Sequence, residues 1–414
     1  MQRPLSLEKL YLDFDSFFAS AEQMFNPALR GRPVGVIPLT SPYTSLIAAS
    51  REAKVLGLKV GTPVREARAI CPDIHLIEAR PDLYVKLHNR IIEVIERCVP
   101  IASVRSIDEV VCTLLPSEAE RPDELCYNIK TALAREICPT LTCSIGISSN
   151  ELLAKIAAEM NKPDGFVILH PDSLPGRLLE LKLRDLPGVS RGMENRLLQA
   201  GVTSVEQLWA IEPKHARAIW NSVEGERFAY ALHGFAIEKP DTVRRMFAHS
   251  RNLPPNWRTG GKILQCARLL CMSAARRLRR AHMRATAVSY SVSKDRRDGT
   301  SLEVRFAAAR DDHTFLTGLT ALHRRLYDKG ALNDVRSISV TLHGLTSEDR
   351  PVRDLFDNHQ TEEIRARWER VSDMLDSLRR RYGNKALNLG STRSPGAYIG
   401  AKIAFGRIPD AEDF

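Results

Sequence analysis

Four acidic residues stand where apolar runs end. Asp13 and Asp15 lie in "YLDFDSFFAS" at residues 11–20, and Asp108 and Glu109 interrupt "VRSIDEVVCTL" at 104–114. Asp13, Asp108 and Glu109 offer three hard oxygen donors, which suit Mg²⁺, an ion that takes carboxylates together with phosphate oxygens. Two such ions about 4 Å apart can activate a 3′-hydroxyl and stabilise a pyrophosphate leaving group during in-line nucleotidyl transfer. The backbone carbonyl of Phe14 and the carboxylate of Asp15 are alternatives for a further ligand. Taken singly, an Asp-Glu pair in a hairpin is ordinarily a solvated turn, so the elements around the carboxylates decide whether they meet.

"LYLDF" and "TCSIGI" read as strands, whereas "LYVKLHNRIIEVIERC" repeats Leu83, Leu87, Ile91 and Ile95 at helical spacing. "IASVRS" and "VVCTLL" predict a hairpin with the acidic pair close to its turn. The result is an α/β layer from Leu10 to Leu169, in which Asp13 ends one strand and Asp108 and Glu109 sit on its neighbours. Past Gly165 the chain changes to short helices and turns. In "LRDLPGVSRGMENRLLQAGV" a helix stops at Leu-Pro-Gly-Val and another starts at once. The turn at Gly188 leaves N–H groups pointing outward, as a phosphate oxygen requires, and the pattern resembles a helix-hairpin-helix. Proline-glycine turns between helices are common, so the pattern alone stays open.

At 414 residues with 43% hydrophobic content, the chain can build several cores, and three or four domains are expected. Its formal charge of +10 favours a polyanionic partner. The charge is concentrated: residues 242–350 hold 21 Lys and Arg against 9 Asp and Glu, a surplus of 12. This segment reads strand, helix, strand, strand, helix, strand, a small sheet backed by helices with one face open for a nucleic-acid backbone. Arg276, Arg277, Arg279 and Arg280 cluster at the end of its first helix, either as a binding surface or as a solvated helix end. The eight cysteines never form Cys-x-x-Cys and read as reduced core residues. With no signal-type segment and no 18-residue apolar run, a soluble cytoplasmic protein without a membrane partner is expected. A helix, "EEIRARWERVSDMLDSLRRRYG", opens the C-terminal stretch, and the tail after it carries no readable function.

Four blocks in order, "LDFDSFFASAE", "AASREAKVLGLKVGTPVREARAICP", "SIDEVV" and "SIGISSNELLAKIAAEMNKPDG", resemble the catalytic blocks of bacterial-type Y-family (DinB/UmuC-like) translesion DNA polymerases. The resemblance covers roughly residues 8–345 and implies a multidomain α/β (α+β) right hand. Palm at 1–25 and 73–165, fingers at 26–72, helical thumb at 166–240, β/α little finger at 241–350 and a C-terminal extension at 351–414 would follow. It implies a DNA-directed, low-fidelity polymerase for lesion bypass, working as a monomer on primer-template DNA and dNTPs with two Mg²⁺ ions that Mn²⁺ can replace. Asp13, Asp108 and Glu109 match the family's metal-binding carboxylates, with Phe14 giving its carbonyl. Phe18 matches the steric gate that would clash with a 2′-hydroxyl, and Phe17 beside it reads as core. Lys162 matches the lysine on the incoming triphosphate, whereas Lys155 faces solvent or the sheet edge. Gly188 and the arginine cluster fall in the family's two DNA-holding domains.

One block departs from the family. Where a Tyr-x-Ala-Arg sequence usually meets the triphosphate, this chain has Arg51 and Lys54, in "SREAK". Lysine is a point charge without the planar fork of arginine, and Arg51 could supply that fork instead. Further on, Leu355 and Phe356 in "VRDLF" are alternatives between a sliding-clamp peptide and packing on the little finger. Two other classes compete with the polymerase: a catalytically impaired, DNA-binding mutasome scaffold, against which the intact carboxylates speak, and a nucleotide cyclase, which has no use for the basic segment.

Overall fold

The computed structural model describes residues 6–238, 243–295, 298–348 and 359–383, with single positions at 387, 389, 390 and 408. Leu355 and Phe356, the clamp-peptide expectation, lie outside them. The chain forms two units, one from residues up to 240 and one from residue 241 onward. Ile408 belongs to the first, packed against its largest core.

In the first unit, β1 (Lys9–Phe14) runs into α1 (Phe17–Phe25). The two-residue period of a strand separates its side chains: Leu10, Leu12 and Phe14 enter the main core, while Tyr11 joins a small cluster on the opposite face. Next come β2 (Val34–Ile37), β3 (Ala48–Ala49), α2 (Arg51–Val55), α3 (Val64–Ile70) and β4 (His75–Glu78). The three strands form a small sheet in the order β3-β2-β4, with a core of its own around Leu46, Leu58 and Val64. β4 pairs in parallel with β2, so the expected fingers boundary at residue 72 cuts this sheet.

The following elements are α4 (Pro81–Glu96), β5 (Ile101–Val104), β6 (Glu109–Thr113), α5 (Pro116–Glu120), α6 (Pro122–Glu136), β7 (Cys143–Ser148), α7 (Glu151–Met160) and β8 (Phe166–Ile168). They build a five-stranded sheet ordered β5-β6-β1-β7-β8. α4 and α6 bury Tyr84, Ile91, Ile95, Ile129 and Leu133 in the main core. α7 covers the opposite face through Ala154 and Ala158, against Tyr11 and Val111. Its close approach requires Gly146 of β7, because a Cβ there would stand 1.9 Å from the Ala154 carbonyl oxygen. The cysteines described here are free thiols, seven of them buried and Cys98 half-buried.

Short helices complete this unit: α8 (Arg191–Gln199), α9 (Val205–Ala210), α10 (Pro213–Trp220) and α11 (Val223–Leu232). The helix expected before the Leu-Pro-Gly-Val turn is only a 3-10 turn over Leu183–Asp185. Pro187 disfavours helical geometry in the residue before it, which limits the segment to one turn. Gly188 takes φ +92°, a left-handed conformation that favours glycine, and Ser190 then precedes α8.

The second unit contains β9 (Met246–Asn252), α12 (Gly260–Arg280), β10 (Met283–Ser293), β11 (Gly299–Ala309), α13 (Asp312–Asp328), β12 (Ser337–Ser347) and α14 (His359–Tyr382). Its antiparallel sheet runs β11-β10-β12-β9. Val288, Tyr290, Val340 and Leu342 point into a core shared with α12 and α13, which leaves Ser289, Ser291, Ser339 and Thr341 on the other face. The strand-helix order agrees with the sequence reading, but the arginines do not all reach the surface. Arg279 is 6% exposed and bonds Asp312 of α13 at 2.9 Å and Asp376 of α14 at 2.7 Å. It is therefore an internal ion-pair residue rather than a DNA contact, because a buried guanidinium needs carboxylate partners. Arg284 pairs with Glu369, and Arg310 with Asp373 at 2.7 Å, so part of the basic surplus is neutralised by α14.

Candidate active site

β1 is the axis of the site. It pairs antiparallel with both β6 and β7, and the register sets Asp13 opposite Glu109 on one side and Ser144 on the other. The Phe14 amide donates to the Asp108 carbonyl at 2.9 Å, fixing the start of β6 against the end of β1. Three acidic residues thus reach one end of one sheet, as their places at strand ends predict. Ser106 stands in the turn before them, and its hydroxyl donates to Asp108 Oδ1 at 2.5 Å. Asp15 is committed elsewhere: its carboxylate accepts from Thr142 at 2.9 Å, Ser144 at 2.8 Å and the Asp164 amide at 2.9 Å. That leaves the Phe14 carbonyl as the better of the two alternatives for a further ligand.

Two lysines face the cluster. Lys162 Nζ lies 2.8 Å from Asp13 Oδ1 and 2.7 Å from Glu159, and Lys155 Nζ lies 2.5 Å from Glu109 Oε1. The solvent-facing expectation for Lys155 is corrected, since its ammonium also donates to the Tyr11 hydroxyl at 3.0 Å. Its signal in the sequence is the four-residue spacing of Glu151, Lys155 and Glu159, which gives α7 one charged row. Burial pushes the Asp13 carboxyl up to about 7, against the downward pull of Lys162 and with help from Glu159 and Asp108. Burial also raises Asp108, partly opposed by the Ser106 bond.

Does such a set suit a divalent cation? Among the described residues, no three acidic, His or Cys side chains converge on one point, because Asp13 and Glu109 turn to their lysines. The donor chemistry nevertheless fits. Three carboxylates share one sheet end, and burial raises Asp13 and Asp108, a cost to their charged forms that a hard cation would offset.

Behind the carboxylates, Ser16 takes φ +53° and turns the chain into α1. Phe17 and Phe18 both pack into the main core, and Phe18 stacks on Tyr84 with centroids 4.7 Å apart. The Tyr84 hydroxyl donates to buried Glu22 at 2.6 Å, and Arg80 pairs with the same carboxylate. This support had no local signal, since its members come from α1 and the start of α4. Arg51 and Lys54 are exposed on α2, one turn apart, and Ser50 caps that helix through the Ala53 amide. Arg276, Arg277 and Arg280 are half-buried at the end of α12, and Arg277 donates to the Ala248 carbonyl at 2.6 Å.

Comparison with known proteins bears on this geometry. The impB/mucB/samB family model matches residues 12–159, and that family's C-terminal domain matches residues 244–355. A DNA polymerase IV of Moorella thermoacetica is 30% identical over 92% of this chain and 94% of its own length. The chain belongs to the Y-family of DNA polymerases. It is thereby a DNA-directed DNA polymerase of the DinB-like translesion kind. A DNA polymerase IV of Pelotomaculum thermopropionicum is 28% identical over 94% of this chain and 96% of the relative. The fold agrees with a solved Y-family DNA polymerase chimera of Dbh and Dpo4, at TM-score 0.69 and 23% identity, over 82% of this chain and 99% of that one. A solved insertion ternary complex of Dbh DNA polymerase overlays at TM-score 0.56 over the same shares. The polymerase thus has the palm, fingers, thumb and little-finger architecture of its family. Among the described residues no helix is long and apolar enough to cross a membrane.

Proposed function

We propose that this polymerase transfers deoxynucleotides to a primer 3′-hydroxyl at the end of β1, with Asp13, Asp108, Glu109 and the Phe14 carbonyl holding two Mg²⁺ ions. The observation that carries this reading is the strand register, which sets Asp13 opposite Glu109 and ties Phe14 to Asp108. When bound, the ions lower the charge on the triphosphate and acidify the primer hydroxyl. The remaining work falls to protein groups. Lys162, three residues from Glu159 and already beside Asp13, reaches the triphosphate, with Arg51 and Lys54 on its outer side. Lysine at position 54 grips less rigidly than a bidentate guanidinium. Phe18, seated on Tyr84, blocks a 2′-hydroxyl and so selects deoxyribose. The turn at Gly188 and the surface arginines of the second unit, without Arg279, hold phosphates of the primer-template, so DNA affinity falls steeply with salt.

Primer extension on undamaged and abasic templates, with Mg²⁺ and all four deoxynucleotides, tests the reading against Asp108→Asn. Extension past the abasic site by wild type alone is expected, with DNA binding preserved in the variant. Extension by the variant at the wild-type rate would remove Asp108 from the site. Failure of both, with salt-sensitive DNA binding intact, would point to a non-catalytic scaffold.

A further inference from the structure

Lys155 belongs to neither the triphosphate nor the solvent. α7 lies against β1 and β7 because Gly146 lets its backbone come close, and this brings Lys155 over the face of β1 that carries Tyr11 and Asp13. The ammonium is 5.0 Å from the centroid of the Tyr11 ring, 3.0 Å from its hydroxyl and 2.5 Å from Glu109 Oε1. Burial, helped by the negative charge of Glu109 close by, raises the Tyr11 hydroxyl well above its ordinary pKa. A tyrosine hydroxyl has lone pairs to accept with, so the Lys155 ammonium donates to both partners at once, the Tyr11 hydroxyl and the Glu109 carboxylate. Tyr11 is 1% exposed, so the ring is anchored in the interior.

We infer that Lys155 and Tyr11 form a positioning pair that holds the Glu109 carboxylate in place for cation binding. This rests on the proposed metal role of Glu109. A glutamate side chain has several rotatable bonds, and a ligand already held by an ammonium that is itself anchored on Tyr11 loses less freedom when it binds an ion. Lys155 contacts Oε1, so Oε2 is the oxygen we assign to an ion. Repulsion between the ammonium and an ion acts in the opposite direction. Removing the lysine also frees the full carboxylate charge, which favours a cation, and we infer that the loss of positioning outweighs this gain. Arg105 pairs with Glu151 at the start of the same charged row, and Lys162 with Glu159 at its end, so neither is placed to replace Lys155.

Binding of Mn²⁺ to the full chain, read from the electron paramagnetic resonance of the unbound ion without DNA or nucleotide, tests the inference apart from turnover. Outer partners of metal ligands typically matter by 10–100-fold in affinity. Lys155→Met is expected to weaken Mn²⁺ binding by about tenfold, and to raise the Mg²⁺ concentration for half-maximal extension by a similar factor while the KM for dNTP stays within twofold. Lys155→Arg should restore most of the affinity. Tyr11→Phe keeps the ring, and with it the fold, yet loses the hydroxyl, so it should weaken Mn²⁺ by several-fold even where Lys155→Met proves unstable. Affinities within twofold of wild type in both Lys155→Met and Tyr11→Phe, with Asp108→Asn still weakened, would overturn the positioning role alone. Wild-type and Asp108→Asn chains that bind Mn²⁺ equally would overturn the metal site, and this inference with it.

Discussion

Sugar selection should depend on what stands beneath Phe18. Its ring stacks on Tyr84 at 4.7 Å and 24°, and Tyr84 is fully buried, held by Glu22 at 2.6 Å, itself paired with Arg80. An aromatic pair contributes about 0.5–1.5 kcal/mol beyond its buried area. Removing the lower ring while keeping apolar volume, as in Tyr84→Leu, lets Phe18 settle away from the sugar. If that whole contribution is felt when a ribonucleotide forces past the gate, discrimination falls by roughly two- to tenfold, at about 1.4 kcal/mol per decade. Tyr84→Phe is the contrast: the ring stays, the bond to Glu22 goes, and the fold loses at most about 1.5–3 kcal/mol with sugar discrimination within twofold of wild type. Single-nucleotide insertion, with kcat/KM for a dNTP divided by that for the matching rNTP, separates the two. An unchanged ratio in Tyr84→Leu, or the same loss in Tyr84→Phe, would refute ring support as the cause.

Three further expectations concern stability. His88 is 3% exposed, its Nδ1 is 2.8 Å from the Ile107 carbonyl, and burial lowers its pKa. The folded chain then binds fewer protons than the unfolded one, so the stability His88 provides is present above its ordinary pKa and is lost as pH falls from there through its lower folded-state pKa. Urea midpoints at pH 7.5 and 5.5 should drop further for wild type than for His88→Asn, and parallel drops would count against His88. In the second unit, Asp312 is fully buried between Arg279 and Arg379, and Asp312→Ala should cost about 3–5 kcal/mol by leaving buried guanidinium charge uncompensated. Arg279→Met should likewise lower the melting temperature while leaving the salt slope of DNA binding unchanged; a slope reduced by about one would restore Arg279 to the DNA surface.

The parts of this molecule that could be read from its sequence are those where period and position agree. Asp13 was legible because a strand alternates its faces, so an acidic residue after an apolar run has few places to go. The strand-helix order from Met246 to Ser347 followed from the alternation of Val288, Tyr290 and Val292 with serines. Lys155 was not legible in the same way. Its partner Glu109 is 46 residues away and meets it only because Gly146 admits α7 to the sheet, a fact about backbone approach rather than hydropathy. Arg279 failed for a related reason: in a cluster of four arginines, helical rotation puts one on the buried side, and counting charges cannot tell which. The carboxylates that neutralise it, Asp312 and Asp376, lie 33 and 97 residues further on. Asp376 belongs to α14, which lies beyond the residues matched by the family's C-terminal domain. A helix without a counterpart in that domain thus decides which basic residues of the second unit remain available for a polyanion, and a charge count over residues 242–350 alone overstates that surface.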